Sequence, residues 1–303
     1  MYLHHVGHVV RDIGAAITLY RRMGFVLPPA SFPALAPAPG MQPRAFGAGN
    51  THVALGRNFV ELVAIADAPP EGSTLVPLDA PPTALERLAA GITATAARLA
   101  AALARFEGLH ILVLGTQDAD AAAARLTAAG VRHDGVQRLH RPSASGGAPV
   151  SIGFLELDPD APEGRLALAE DLPDGERPEH PNGAVELVDA VLCVPDAELP
   201  GHLRRYERYL DRSAEGDGPV RTFELDGGRI TVAAASGLDD VLPGERPPVL
   251  PAFAGFVLSV RDLDATRRLV ADAGFPLRVT PSGEVFVPAV AAFGAAVAFR
   301  QAT

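Results

Sequence analysis

The chain has 303 residues, 48% of them apolar, enough for a substantial core and too many for disorder. Its 36 acidic residues against 26 basic ones leave a net charge of −10, which argues against nucleic acid or an anionic membrane surface as the main partner and leaves small molecules open. The single cysteine, Cys193, excludes an internal disulfide framework and a thiolate-rich metal site, and in the apolar run 190–194 it reads as a small buried hydrophobe.

The first strand-like run begins at Tyr2, so no signal peptide is expected. A membrane span needs about 18 or more apolar residues free of Pro, Gly and charge. The nearest candidate, an Ala-rich stretch near 92–104, is punctuated by Arg98. The cytoplasm is therefore the expected location, with a small-molecule substrate, no nucleic acid, no membrane and an open question of homodimer formation.

In chain order, four segments share one pattern of short strand, acidic turn, amphipathic helix, Gly and strand. They are LHHVGHVVRDIGAAITLYRRMGF (3–25), LHILVLGTQDADAAAARLTAAGV (109–131), LVDAVLCVPDAELPGHLRRYERYL (187–210) and FAGFVLSVRDLDATRRLVADAGF (253–275). Asp12, Asp118, Asp196 and Asp262 fall where each helix wants an N-cap acceptor for its orphan amides. Ile13, Ile17 and Tyr20 recur at helical spacing and predict one buried stripe. Strand-like stretches follow each helix: 44–55 and 58–65 around Gly56-Arg57, 149–157 and 165–170 around DPDAPEG, 220–225 and 229–235, then 284–287 and 295–300. A second strand in each unit is poorly marked.

Each unit thus reads β-α-β-β-β, and the expected class is α+β, built of four βαβββ modules. Residues 66–108 hold a Pro-rich loop and a long Ala/Leu/Arg helix over 82–106, while 171–184 reads as the main linker. The expected domains are 1–174, containing the first two modules and a metal site, and 185–303, containing the other two.

Superimposing the units brings out a constellation. Period-two alternation places His5 on a face with Leu3, Gly7 and Val9, and Val6, His8 and Val10 on the helix-packed face. His110 takes the matching place in the second unit, with Leu112 and Leu114. Glu61 in NFVELVAI and Glu170 in RLALAED close the last strands of the two units at nearly the same separation. Two imidazoles and two carboxylates suit a divalent ion such as Zn, Mn, Fe, Ni or Co. A carboxylate in a strand as apolar as that of Glu61 also asks for a charged partner. The hairpin at Gly56-Arg57 pairs His52 with Glu61 across the ladder, offering His52 as a supporting or acid/base group. His180 and Asn182 in HPNG read as a linker turn. The third and fourth units carry Asp189 and Gly255 where the first has His5, and no Glu in their final strands.

LHHVGHVVRDI resembles the opening strand and turn of the vicinal-oxygen-chelate superfamily, and GNTHVALGRNFVELVAI with HPNGA resembles its glyoxalase-like bacterial members. The resemblance implies paired modules whose curled sheets enclose a cavity, with His5, Glu61, His110 and Glu170 as metal ligands. Its implied chemistry is chelation of vicinal substrate oxygens and stabilisation of an enolate, giving isomerase, epimerase or lyase activity. Glu61 or Glu170 would then move the proton, aided by His52. Two alternatives stand beside it: an Fe- or Mn-dependent extradiol-type dioxygenase, and a metal-free small-molecule binding or resistance protein.

Overall fold

Local signals set the helices. Asp12, Asp118 and Asp262 each accept a hydrogen bond from the amide three residues on, at 2.9, 2.8 and 2.9 Å, satisfying donors that a helix start leaves unpaired. Asp196 departs from this pattern. It opens a 3₁₀ turn whose following helix begins at Leu199 without a side-chain cap, and it accepts from the Ser236 amide at 3.3 Å instead. Pro195 and Pro200 bracket that start, so the turn substitutes for the cap.

The computed structural model describes residues 1–36, 41–65, 69–78, 81–141, 150–170 and 177–303. In chain order it contains β1 (Tyr2–Val9), α1 (Ile13–Arg22), β2 (Ser31–Leu35), β3 (Arg44–Ala45), β4 (Ala48–Ala54), β5 (Phe59–Ile65) and β6 (Thr74–Pro77). Next come α2 (Pro82–Arg105), β7 (Gly108–Gly115), α3 (Ala119–Ala128), β8 (Gln137–Arg141), β9 (Val150–Leu157) and β10 (Arg165–Glu170). The remainder comprises β11 (Ala184–Val194), α4 (Leu199–Leu210), β12 (Val220–Leu225), β13 (Gly228–Ala234), β14 (Ala252–Val260), α5 (Leu263–Asp272), β15 (Arg278–Val279), β16 (Val285–Val287) and β17 (Ala296–Gln301). The start of the expected 149–157 strand and residues 171–176 of the expected linker lie outside the described residues.

The fold is a mixed α and β architecture, many strands with few helices, and β1 sits at the centre of its first half. It pairs in parallel with β5 and antiparallel with β7, and β7 pairs in parallel with β10. The parallel partners are reached by way of α1 and α3, as a same-sheet crossover requires. Outward from β5 and β10 the ladder continues antiparallel through β4 and through β9 and β8. The later strands repeat the plan: β11 pairs antiparallel with β14, and each has a parallel neighbour, β13 and β17. Phe253 on β14 pairs with Leu109 on β7 and ties the two sets together.

The sheet face away from the cavity carries the largest core, where Val6, Leu112, Leu114 and Leu187 meet Ile17 and Tyr20 of α1, Leu126 of α3 and Tyr206 of α4. The opposite face of the first half is capped by α2, whose Leu99 and Leu103 pack on Val9, Val63, Ile111, Val113 and Ala167. Among the described residues, no helix is long and apolar enough to cross a membrane.

Two bulges decide which side chains reach that capped face. On β1 the register steps from Leu3↔Leu114 to His5↔Val113, so His4 is the extra residue. On β7 it steps from Ile111↔Gly7 to Leu109↔His8, so His110 is the extra residue. In the later pair of strands Val188 and Ala254 are the matching extra residues, and Val185 is a third.

Candidate active-site cavity

Between α2 and the concave face lies a cavity of about 480 Å³, lined among others by Asn50, Glu61, Val63, Arg98, Leu99, Arg105, His110, Ile111, Glu156 and Arg165. That volume lies in the range of small-molecule sites. Glu61 reaches the wall from β5. Across the ladder it faces His52, as the hairpin at 56–57 requires, and Leu55 closes that hairpin with a 2.9 Å bond from its amide to the Asn58 carbonyl. The Asn50 side-chain amide donates to Glu61 Oε1 at 2.7 Å. His52 Nε2 stands 3.9 Å from Oε1 and His5 Nε2 stands 4.0 Å from Oε2, so two imidazoles flank one carboxylate.

Burial acts on both imidazoles in the same direction. Burial drives the His5 pKa well below its ordinary value, and neighbouring His4, His52 and Arg165 push the same way. Burial also lowers His52, with Glu61 pulling in the opposite direction. The His5 ring stacks on Phe59 with centroids 4.3 Å apart, and its Nδ1 lies 2.7 Å from His4 Nδ1. This fixes the ring and leaves Nε2 toward Glu61.

The second half of the expected ligand set is not brought to this point. His110 occupies the bulge position, which corresponds to His4 and not to His5; Ile111 takes the place of His5. His110 does line the cavity, but its Nε2 bonds the Phe106 carbonyl at 2.9 Å, and its Nδ1 is buried with no hydrogen-bond partner. Burial lowers its pKa as well, opposed by that bond to the Phe106 carbonyl. By register, Gly7 pairs with Glu61 and Val113 with Ala167, so Ala167 is the counterpart of Glu61. Glu170 lies three residues on, an odd step that turns it to the other face. There it accepts from the α3 amide of Ala119 at 3.2 Å and from Arg138 at 2.8 Å.

The donors present therefore do not compose the expected metal site. Among the described residues, no three His, Cys, Asp or Glu side chains stand close enough to hold an ion. Metal bonds of about 2.1 Å to two donors as far apart as His5 Nε2 and Glu61 Oε2 would subtend about 145°, wider than a tetrahedral or cis-octahedral angle.

Sequence reasoning missed the cations on the wall and the carboxylate between them. Glu156 pairs with Ala167 across the ladder, and is the place matching His52 in the first unit. It is buried, with Arg98 Nη1 at 2.6 Å and Arg165 Nε at 3.3 Å. The signal was available: in SIGFLELD the core residues Leu155 and Leu157 alternate with Phe154 and Glu156, which marks Glu156 as a charged residue on a covered face.

The rim loop 158–164 is clamped from α4. Glu163, 0% exposed, accepts two 2.5 Å bonds from Arg205 and one of 2.9 Å from the Tyr206 hydroxyl, and Tyr209 donates to Asp158 at 2.7 Å. HPNG forms the turn that its sequence implied, the Gly183 amide donating to the His180 carbonyl at 2.8 Å, and in addition it staples distant segments together. His180 accepts from the Val26 amide at 3.1 Å and donates to the Ala54 carbonyl at 2.8 Å, while Asn182 donates to the Met23 carbonyl at 2.9 Å. Cys193 is buried, and burial pushes its thiol up to about 11. Asp189 is buried against Arg229 at 2.6 Å and Thr231 at 3.0 Å.

The strand order and the cavity on one sheet face agree with the vicinal-oxygen-chelate superfamily, and the match of a family model over two thirds of the sequence puts the chain in it. Within it the chain belongs to the glyoxalase-like domain family, whose sequence model matches residues 3–209. That match runs through α4, the helix that clamps the cavity rim. A comparison with characterised proteins returns no match. Many solved structures share the fold, among them the following three. A hypothetical protein from Staphylococcus aureus is 11% identical, covers 99% of both chains and has a TM-score of 0.61. A mutant of 4-hydroxymandelate synthase from Streptomyces coelicolor is 14% identical over 99% of this chain and 92% of its own, at 0.60. A fusion of a xylose isomerase-like TIM barrel with a 4-hydroxyphenylpyruvate dioxygenase is 14% identical, at 0.57, over 100% of this chain and 49% of its own. Identities this low carry the fold and not the chemistry.

Proposed function

We propose that this chain is an enzyme that binds a small organic molecule under α2 and exchanges a proton with it through Glu61, giving isomerase, epimerase or lyase chemistry. The observation that supports this is the Glu61 carboxylate on the cavity wall. One of its oxygens is fixed by Asn50, and the other has no hydrogen-bond partner among the described residues. Such a group is oriented yet available, which is what a general base needs. It would take a proton from a carbon next to a carbonyl, and the C–H electron pair would pass to the carbonyl oxygen as an enolate. Guanidinium groups on the same wall meet charge of that sign. Return of the proton to the other face or another atom completes an isomerisation; loss of a β-leaving group makes it a lyase.

The metal-dependent readings, enolate chemistry on four donors and extradiol-type oxygenation on two His and one Glu, draw on a set that His110 and Glu170 do not join. The test is solvent exchange. Small carbonyl compounds bearing an acidic C–H are incubated in D₂O with wild type and with Glu61→Gln, and deuterium incorporation is followed by ¹H NMR. Exchange by wild type that is lost in Glu61→Gln supports the reading. Exchange at equal rates in both, or no exchange by wild type across the panel, overturns it.

A further inference from the structure

Resting on the reading of this cavity as the binding site, we infer that its ligand is an organic monoanion, one carboxylate-like group on an apolar body. Arg98, Arg105 and Arg165 line the cavity against Glu61 and Glu156, which leaves one positive charge in excess. Glu156 is already shared between Arg98 and Arg165. Of these three arginines, Arg105 has no carboxylate partner among the described residues. Its Nη2 donates to the Pro251 carbonyl at 2.9 Å, and its guanidinium lies 5.5 Å from the Phe106 ring. A guanidinium has five donors, so most of those on Arg105 are left for a ligand. Arg165 is committed to the Glu156 side. Its Nε is buried, and the approach to Glu156 is not aligned for a hydrogen bond.

This excess runs against the chain as a whole, which carries −10. The positive charge is therefore local to the cavity and not a reflection of composition. The remaining wall, with Val63, Leu99, Ala102 and Ile111, is apolar and suits a hydrocarbon body. A cationic ligand could meet Glu61 but would add to the positive excess of the wall, and a dianion would bring one charge more than the wall balances. The planar fork of Arg matches a carboxylate with two parallel hydrogen bonds.

The test uses two size-matched series, phenylacetate with phenylacetamide and phenethylamine, and hexanoate with hexanamide and hexylamine. Binding to the full chain is measured by titration calorimetry and saturation-transfer NMR. The variants are Arg105→Gln, which keeps a donor for Pro251, and Leu99→Trp, which fills the cavity; thermal melts confirm that both are folded. The expected result is that at least one carboxylate binds about tenfold or more tighter than its amide and its amine. Arg105→Gln should erase that preference, and Leu99→Trp should abolish binding. Amide or amine binding as tightly as the acid, with Leu99→Trp still abolishing it, overturns the anion assignment and leaves the cavity reading standing. Binding untouched by Leu99→Trp overturns the cavity reading itself. A preference that survives Arg105→Gln overturns the role given to Arg105, and absence of wild-type binding by either carboxylate at millimolar concentration overturns the inference.

Discussion

His8 offers a quantitative test of how the concave sheet is held to the later strands. Its ring is buried and bonded at both nitrogens, at 2.8 Å to the Tyr20 hydroxyl on α1 and at 2.8 Å to the Phe293 carbonyl near the end of the chain. With Nε2–H donating to the carbonyl and Nδ1 accepting from the hydroxyl, the neutral ring is satisfied at both nitrogens, whereas a charged ring would have to give up its hydration. Burial accordingly lowers its pKa from 6.5 to about 4, against an opposing contribution from the Phe293 carbonyl. The unfolded chain then binds the proton more readily than the folded one throughout that window. The stabilisation is present above pH 6.5 and is lost as pH falls toward 4. A displacement of this size corresponds to about 3 kcal/mol in full, of which about 2 kcal/mol is gone by pH 5. In His8→Gln the side chain keeps a donor and an acceptor but does not titrate. Urea unfolding of both proteins between pH 8 and pH 5 should show the variant less stable at pH 8, with a pH dependence shallower by about 2 kcal/mol. Parallel curves for the two proteins would refute the role given to His8.

Three further outcomes follow from the frame of the site. Glu163→Gln strips the buried charge that opposes half-buried Arg205 and should lower unfolding free energy by about 3 kcal/mol; urea melts check this, and a loss under about 1 kcal/mol would show that α4 does not clamp the rim. Gly164 has φ +142°, and a Cβ there would lie 2.3 Å from the His110 carbonyl oxygen. Gly164→Ala should therefore cost about 1–3 kcal/mol and weaken cavity binding, both readable from melts with and without ligand. Asn50→Ala removes the 2.7 Å bond to Glu61 and should slow proton exchange about tenfold with little change in melting temperature. Unchanged exchange would mean that Asn50 does not position the base.

Much of the fold was legible because its signals are local. Asp12, Asp118 and Asp262 cap their helices as read, and the hairpin at Gly56-Arg57 sets His52 opposite Glu61 as read. His52 meets Glu61 through that register, and His5 reaches the same carboxylate through the parallel pairing of β1 with β5. The second half was not legible because each bulge adds one residue to its strand, and a one-residue step moves side chains to the other face. Strict alternation put His110 with Leu112 and Leu114; the bulge places those leucines in the main core and His110 at the cavity wall. Glu170 matched Glu61 in residue count along the chain, whereas pairing with β7 gives that place to Ala167. Arg98 and Arg105 face the cavity only because α2 folds back over the sheet, a long-range packing choice that helix periodicity does not specify.

The central claim, that Glu61 moves the proton with the side chains that surround it here, is tested most directly by repeating the exchange measurement on chelator-treated protein. The account predicts that deuterium incorporation persists after metal is stripped and disappears in Glu61→Gln. Exchange that stops on stripping, and returns with one divalent ion per chain bound through His5 and Glu61, would contradict it.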